Sequence, residues 1–220
     1  MTIPLNKIFY TKSCTVCPRL AKFLSEVRAA YPPYFAHPVA PFGPLDAELL
    51  IVGLAPGLHG ANRTGRPFTG DWCGPLLYSS LYKYGFANQS TSVDIDDGLE
   101  LLNCRVTNAV KCLPPENKPT PLEIRACNEF LRNEISVIKP RVLLALGTIA
   151  HQAILQAFEL RNSKYPFGHR TIHRLPGEIA LFDSYHVSRY NTQTGRLTEA
   201  MFHQVLEDIR QYLDNFKTCH

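Results

Sequence analysis

The chain predicts an α/β fold, a three-layer α/β/α sandwich around a central, mainly parallel four-stranded sheet, and three observations carry that expectation. Short apolar runs of strand length alternate with longer amphipathic segments. The runs are apolar throughout, as strands covered on both faces are. Polar residues capable of chemistry stand just past the carboxyl end of each run, where open parallel sheets bind ligands.

In chain order, PRLAKFLSEVRAAYP puts Leu20, Phe23, Leu24 and Val27 at helical spacing, and Pro32 and Pro33 end the helix. LLIVG, beginning at Leu49, is a buried strand that breaks into a Gly-rich loop. WCGPLLYSSLYKYGF reads as a helix stopping at Gly85, and NQSTSVDIDDG as a polar loop. LLNCRVTNAV is the second strand, ending near Asn108. PTPLEIRACNEFLRNEISVIKP is a Pro-initiated helix with Leu122, Ala126, Phe130 and Ile135 in phase, closed by Pro140. RVLLALG and IALFDSYH are the third and fourth strands, with the helix TIAHQAILQAF after the third. The final helix aligns Phe202, Leu206, Ile209, Leu213 and Phe216.

A length of 220 residues at 45% apolar composition is enough for one sizeable core. One domain over 1–220 is expected, with residues 1–33 as an N-terminal arm, and a monomer. No run is long and apolar enough to span a bilayer. The opening MTIPLNKIFYTKSCTVC has no basic, apolar, cleavable leader pattern, so a cytoplasmic protein is expected, nucleoid-associated if prokaryotic. A net charge of +4 permits a polyanionic partner without requiring one.

Seven cysteines in a chain of this type point to metal ligation or buried thiols more than to disulfides. Cys14 and Cys17 form CxxC before Pro18, while Cys112 and Cys127 form a wider pair. Four thiolates in this pattern hold zinc or an iron–sulfur cluster, and one tight pair, one wide pair and a following proline favour the cluster. Cys73, Cys104 and Cys219 are left over, with Cys104 reading as a small apolar strand residue.

The loop GLAPGLHGANRTGRPFTGD, at 53–71, holds five glycines, Arg63, Arg66, Phe68 and Asp71. It lacks GK[ST], and its glycines never fall into GxGxxG, so neither common phosphate loop fits. Guanidinium groups, a planar ring and a carboxylate suit a nucleobase and its backbone, whereas the plain alternative is a turn with Asp71 capping a helix. At the other strand ends stand Thr107 and Asn108, Gly147 and Thr148, and His186. The histidines His37, His151 and His203 read as solvated or locally bonded.

Three motifs together resemble an iron–sulfur uracil-DNA glycosylase of the type-B branch, family 5. They are GLAPGLHGANRTGRPFTGD at 53–71, KCLPPENKPTPLEIRAC at 111–127 and LFDSYHVSRYNTQTGRLT at 181–198. With Cys14 and Cys17 they span most of the chain. Relatives in the type-A branch carry an acidic residue after the first glycine; here Leu54 follows Gly53, as type B has it. The chain departs from the family in having Val187 where His-Pro is usual, so a turn of different stiffness is expected after His186.

The resemblance implies a 4Fe-4S cluster on Cys14, Cys17, Cys112 and Cys127, and DNA carrying uracil or other altered bases such as hypoxanthine as partner. It implies a base pocket from Gly53, Leu54, Ala55, Pro56, Gly57 and Phe68, with Asp71, Asn108 and His186 catalytic. Extruding a nucleotide costs a few kcal/mol, part of which stacking on Phe68 offsets. Asn108 has the donor and acceptor to read a pyrimidine edge. His186 would stabilise the departing base anion, and Asp71 the sugar cation or the attacking water. No lysine stands in the matched motifs to form a Schiff base, so a monofunctional, hydrolytic enzyme is implied. Arg63, Arg66, Arg189, Asn191 and Arg196 are the expected DNA contacts, with the basic segment 161–174 as a loop beside them. Two rivals are a metal-dependent phosphoester hydrolase using the same loop and a cluster-bearing nucleic-acid module without catalysis.

Overall fold

The computed structural model describes residues 9–218, so Cys219 and the first residues of the opening segment lie outside it. The strands β1 (Leu49–Gly53), β2 (Cys104–Asn108), β3 (Val142–Leu146), β4 (Ile172–Leu175) and β5 (Ile179–Ser184) form one sheet in the order β2-β1-β3-β5-β4. All neighbours pair in parallel except β4 and β5, which are antiparallel. The chain runs from β1 outward to β2 and then returns to β3 on the other side, so the carboxyl ends of β1 and β3 flank the crevice where such sheets bind ligands.

β4 is the fifth strand, and it corrects the expected count of four and the expected loop at 161–174. It is short, basic and partly exposed, the composition that blunts a sheet edge. Two of its four residues are His173 and Arg174, so no apolar run announces it.

The helices are α1 (Pro18–Ala30), α2 (Ala61–Thr64), α3 (Cys73–Lys83), α4 (Pro121–Ile138), α5 (Thr148–Ala157), α6 (Arg189–Gln193) and α7 (Glu199–Thr218). Strand residues of one parity, Leu49, Ile51 and Leu144 among them, pack on α3 and α7. Their neighbours Leu50, Val52 and Leu143 pack on α4 and α5. This is the alternation of a pleated strand covered on both faces. A smaller core joins Leu20, Leu24 and Val27 of α1 to Val110, Cys112, Leu113 and Cys127. No helix among the described residues is long and apolar enough to cross a membrane.

Helix α4 begins as its sequence predicts, with Thr120 and Glu123 in a reciprocal capping box and Pro121 in the first turn. Its buried face differs. Leu122 is 73% exposed, and the inward residues are Glu123, Cys127, Asn128, Leu131, Glu134, Ile135 and Ile138. Each of the polar ones has a partner. The Arg19 guanidinium donates to both oxygens of Glu123, fastening α1 to α4. Asn128 donates to the Ala153 carbonyl of α5. Glu134 accepts from Arg105 of β2, and from Thr107, which therefore lies in the interior and not at the rim.

His151 is likewise no solvated residue: it is 1% exposed, with Nδ1 2.7 Å from Asp183 Oδ1 and Nε2 2.8 Å from the Tyr165 carbonyl. Burial opposes its charge, but the Asp183 carboxylate outweighs that and raises its pKa. Cys104 is fully buried in β2, and burial pushes its thiol up, as suits a small apolar strand residue.

Candidate active site

The loop after β1 is held by its own side chains. Asp71 Oδ1 accepts a hydrogen bond from the Cys73 amide, so the carboxylate caps the start of α3 as well as facing inward. Phe68 adopts φ +52°, a conformation a bulky residue takes only when its surroundings impose it. They do: the Tyr78 hydroxyl donates to the Pro67 carbonyl at 2.6 Å, and Gly74 has no Cβ to block the Phe68 carbonyl.

The glycines of this loop make room for the site's own groups. A Cβ on Gly53 would stand 2.5 Å from Phe68 Cζ and 2.5 Å from Asn108 Oδ1. One on Gly60 would overlap the Asp71 carboxylate. Gly53→Ala is therefore expected to displace ring and amide together and to lower turnover about a hundredfold, the scale of an ångström's misplacement. Steady-state kinetics beside a thermal melt check this, since a folding defect would move the melt instead.

Leu54, Ala55, Gly57, Phe68, Asp71, Asn108 and His186 line one cavity of about 340 Å³. Three strands bring the polar groups there: Asp71 follows the β1 loop, Asn108 ends β2 and His186 lies just past β5. Gly53 and Pro56 stand behind this lining, Pro56 being buried. The Phe68 and His186 rings are 6.1 Å apart, tilted by 32°.

Burial sets the electrostatics. His186 is half-buried at the cavity wall, and desolvation there pushes its pKa down to about 4, so the imidazole is neutral at pH 7. Burial raises the pKa of Asp71, an effect the amides of Cys73 and Gly74 and the charge of Arg63 only partly offset. Gly147, at φ +94°, lets the chain turn beneath His186, whose Cβ would be 3.3 Å from a Cβ at that position. Val187 is fully buried, so packing fixes the turn after His186.

Four lining residues are absent from the sequence expectation: Ala61, Cys73, Asn117 and Ser188. Asn117 is the informative one. It lies in a left-handed turn with Glu116, between Cys112 and Cys127, so the segment flanked by these cysteines supplies a wall of the cavity. The signal available was PPEN, an asparagine placed where turns tolerate positive φ.

Two expected DNA contacts are placed otherwise. Arg66 is 3% exposed: it donates to Asp97 at 2.8 Å, to Ser92 at 3.0 Å and to the Ile95 carbonyl at 2.6 Å, over the ring of Phe42. Burial would raise the Asp97 pKa, but Arg66 and the amides of Val93, Leu99 and Asp94 hold it at about 2. Arg66 thus anchors the polar loop 88–98, with its guanidinium turned inward. Asn191 is buried, and its amide donates to the His186 carbonyl at 2.8 Å, which makes it a support for the turn that carries His186. Arg63 braces the loop through the carbonyls of His59 and Gly70. Arg189 and Arg196 are exposed, lying over the rings of Trp72 and Tyr185.

Cys14, Cys17, Cys112 and Cys127 converge on a second cavity beside α1 and α4, and all four are free thiols. Burial, followed by the other thiols' charge, raises the pKa of Cys17 and Cys112; burial does the same for Cys127 despite the nearby Lys111. The Lys111 amide donates to Cys127 Sγ at 3.3 Å. Cys112 and Cys127 are buried and Cys14 and Cys17 half-buried, and a set of thiols gathered this way ionises together most readily around a cationic centre.

A family model described as the uracil DNA glycosylase superfamily matches residues 40–210. A type-5 uracil-DNA glycosylase of Thermus thermophilus is 48% identical over 205 residues, 90% of this chain and 93% of the relative. One from Pyrobaculum aerophilum is 40% identical over 88% of this chain and 86% of its own length. A type-4 uracil-DNA glycosylase of Archaeoglobus fulgidus is 32% identical over 60% of this chain and 56% of its own length.

Proposed function

The chain belongs to the uracil DNA glycosylase superfamily, and from that premise we propose that it excises uracil from DNA by hydrolysing the N-glycosidic bond, leaving an abasic site. The observation that supports this most is the convergence of Phe68, Asp71, Asn108 and His186 on one cavity of base dimensions. An extruded base meets the Phe68 ring, presents its edge to the Asn108 amide and puts a carbonyl near the neutral His186 imidazole. Asp71 lies on the side of the sugar, where a carboxylate stabilises developing positive charge or orients water. No lysine among the described residues lines the cavity, which supports hydrolysis without a Schiff base. Asp71 is also the sole carboxylate in that lining, an arrangement poor in the paired acids of a two-metal phosphoester hydrolase.

Hypoxanthine belongs to the proposed substrate range. Leu54 leaves the wall beside Gly53 apolar, with no charged group there to exclude a bicyclic base, and the cavity of about 340 Å³ is not confined to a single ring. Arg63, Arg189 and Arg196 are the proposed phosphate contacts, so affinity for DNA should fall steeply with salt. End-labelled duplexes carrying uracil or hypoxanthine, treated with enzyme and then alkali, test the assignment. Cleavage at uracil that survives chelators supports it, and an intact uracil strand overturns it.

For the cysteine centre we propose a 4Fe-4S cluster. Sulfurs around one zinc stand about 3.8 Å apart, given bonds of about 2.3 Å. No three of these cysteine sulfurs lie within 4.8 Å of one another. A polynuclear group, wider than one ion, suits that spacing. It would bind the chain's beginning to its middle, a structural contribution. Cys127→Ser is expected to lose the visible absorbance of the purified protein and to lower its thermal midpoint; an unchanged spectrum would refute the ligand set.

A further inference from the structure

Resting on the glycosylase reading, we propose that the groove beside the catalytic cavity is a second nucleobase site, where the indole of Trp72 stacks on the base adjacent to the extruded nucleotide in the same strand. Trp72 is the chain's sole tryptophan and is 52% exposed. Large aromatic rings are ordinarily well buried, so a half-open indole is informative.

This indole is also fixed in place. Its Nε1–H donates to Thr192 Oγ1 at 3.0 Å, and the Arg189 guanidinium lies over the ring, 5.3 Å from its centre. Anchoring one edge and covering the ring with a cation presents a flat surface at little entropic cost. The groove that Trp72 lines measures about 800 Å³ and is walled by Pro75, Leu76 and the hydroxyl-bearing Ser90 and Thr91. Hydroxyls both donate and accept, so they meet any base edge without selecting one. Glu199, which also lines the groove, sets its acidic limit.

Continuity with the catalytic cavity identifies the occupant. Asp71 and Cys73 line the cavity, and Trp72 between them lines the groove. Ser188 and Thr192, at the start and within α6, divide in the same way. The two hollows therefore share walls on both sides. A nucleotide leaving the stack deprives its neighbour of one stacking face, and Trp72 stands where that face is replaced.

Because no other indole contributes, emission excited beyond the tyrosine absorption band reports this site alone. Titration with a non-hydrolysable uracil duplex should quench it. Trp72→Ala should raise KM for uracil duplexes roughly ten- to a hundredfold, by the usual range for one base stacked on an aromatic ring, with kcat little changed. Trp72→Phe, which keeps a planar ring, should recover most of that loss. A base-free spacer next to the uracil, on one side, should raise KM for the wild type and have no further effect in Trp72→Ala. Unquenched emission, an unaltered KM in the alanine variant, or a spacer penalty equal in both proteins would overturn the proposal. A penalty that appears instead for a spacer opposite the uracil would overturn its same-strand placement. Wild-type protein that releases no uracil would remove the underlying reading itself, an outcome separable from all of these.

Discussion

Replacing His186 by alanine is expected to slow uracil release at saturating DNA by about 10²–10³-fold, the usual loss for one preorganised donor to a developing oxyanion. Its effect on the affinity for substrate DNA should be small, because the departing base carries little negative charge until the bond breaks. With a pKa of about 4 the imidazole is uncharged across the physiological range, so in the proposed mechanism it serves as a neutral hydrogen-bond donor. No change of rate between pH 5 and 9 should therefore trace to its titration. The acid side of the profile belongs to Asp71. Burial raises its pKa above the ordinary carboxylate value, and the reaction needs the ionised form, so activity falls as pH drops through that raised value. Single-turnover rates against pH check both statements. In Asp71→Asn the acid limb should vanish along with most of the rate, and in His186→Ala the limb should persist on a lowered plateau. Near-normal excision by His186→Ala would remove the histidine from the mechanism.

The largest expected stability effect lies away from the cavity. Glu134 is fully buried on α4, its carboxylate 2.8 Å from Arg105 Nε, 2.9 Å from the Thr107 hydroxyl and 3.4 Å from Lys111 Nζ. Lys111 is bonded to Thr107 as well, and both cations are almost wholly buried. Glu134→Ala would leave two desolvated cations with no counter-charge. A loss of about 3–5 kcal/mol is expected, as for breaking a buried ion pair from one side. Glu134→Gln should cost less, since it keeps an acceptor for one donor. Denaturant midpoints at constant slope measure both. Because Lys111 also gives its amide to Cys127, the alanine variant should disturb the thiol centre, visible as slower or incomplete recovery of the proposed cluster's absorbance on reconstitution.

Pattern alone located what pattern controls. Four apolar runs became the parallel strands, and the polar residues after them, Asp71, Asn108 and His186, meet at one rim because parallel strands end on the same side. The cysteine spacing foretold their convergence. Other features depend on partners distant in sequence. Leu122 and Ala126 look like a helix stripe, yet α4 turns inward the face whose glutamates and asparagine have cations and carbonyls waiting. Arg66 looks like a phosphate ligand until Asp97, from a loop that reads as merely polar, captures it. Asn191 could not be told from a surface amide without knowing where the His186 carbonyl lies. β4 is too short and too polar to produce a periodic signal. The glycines were legible as close-approach positions, but the groups approaching are Phe68, Asn108 and Asp71, which only coordinates identify.

Asn117 sits between two cysteines of the thiol centre and reaches the wall of the base cavity. The stretch of chain that carries two of the converging cysteines thus also builds part of the cavity wall, so whatever those thiols hold also sets where Asn117 stands.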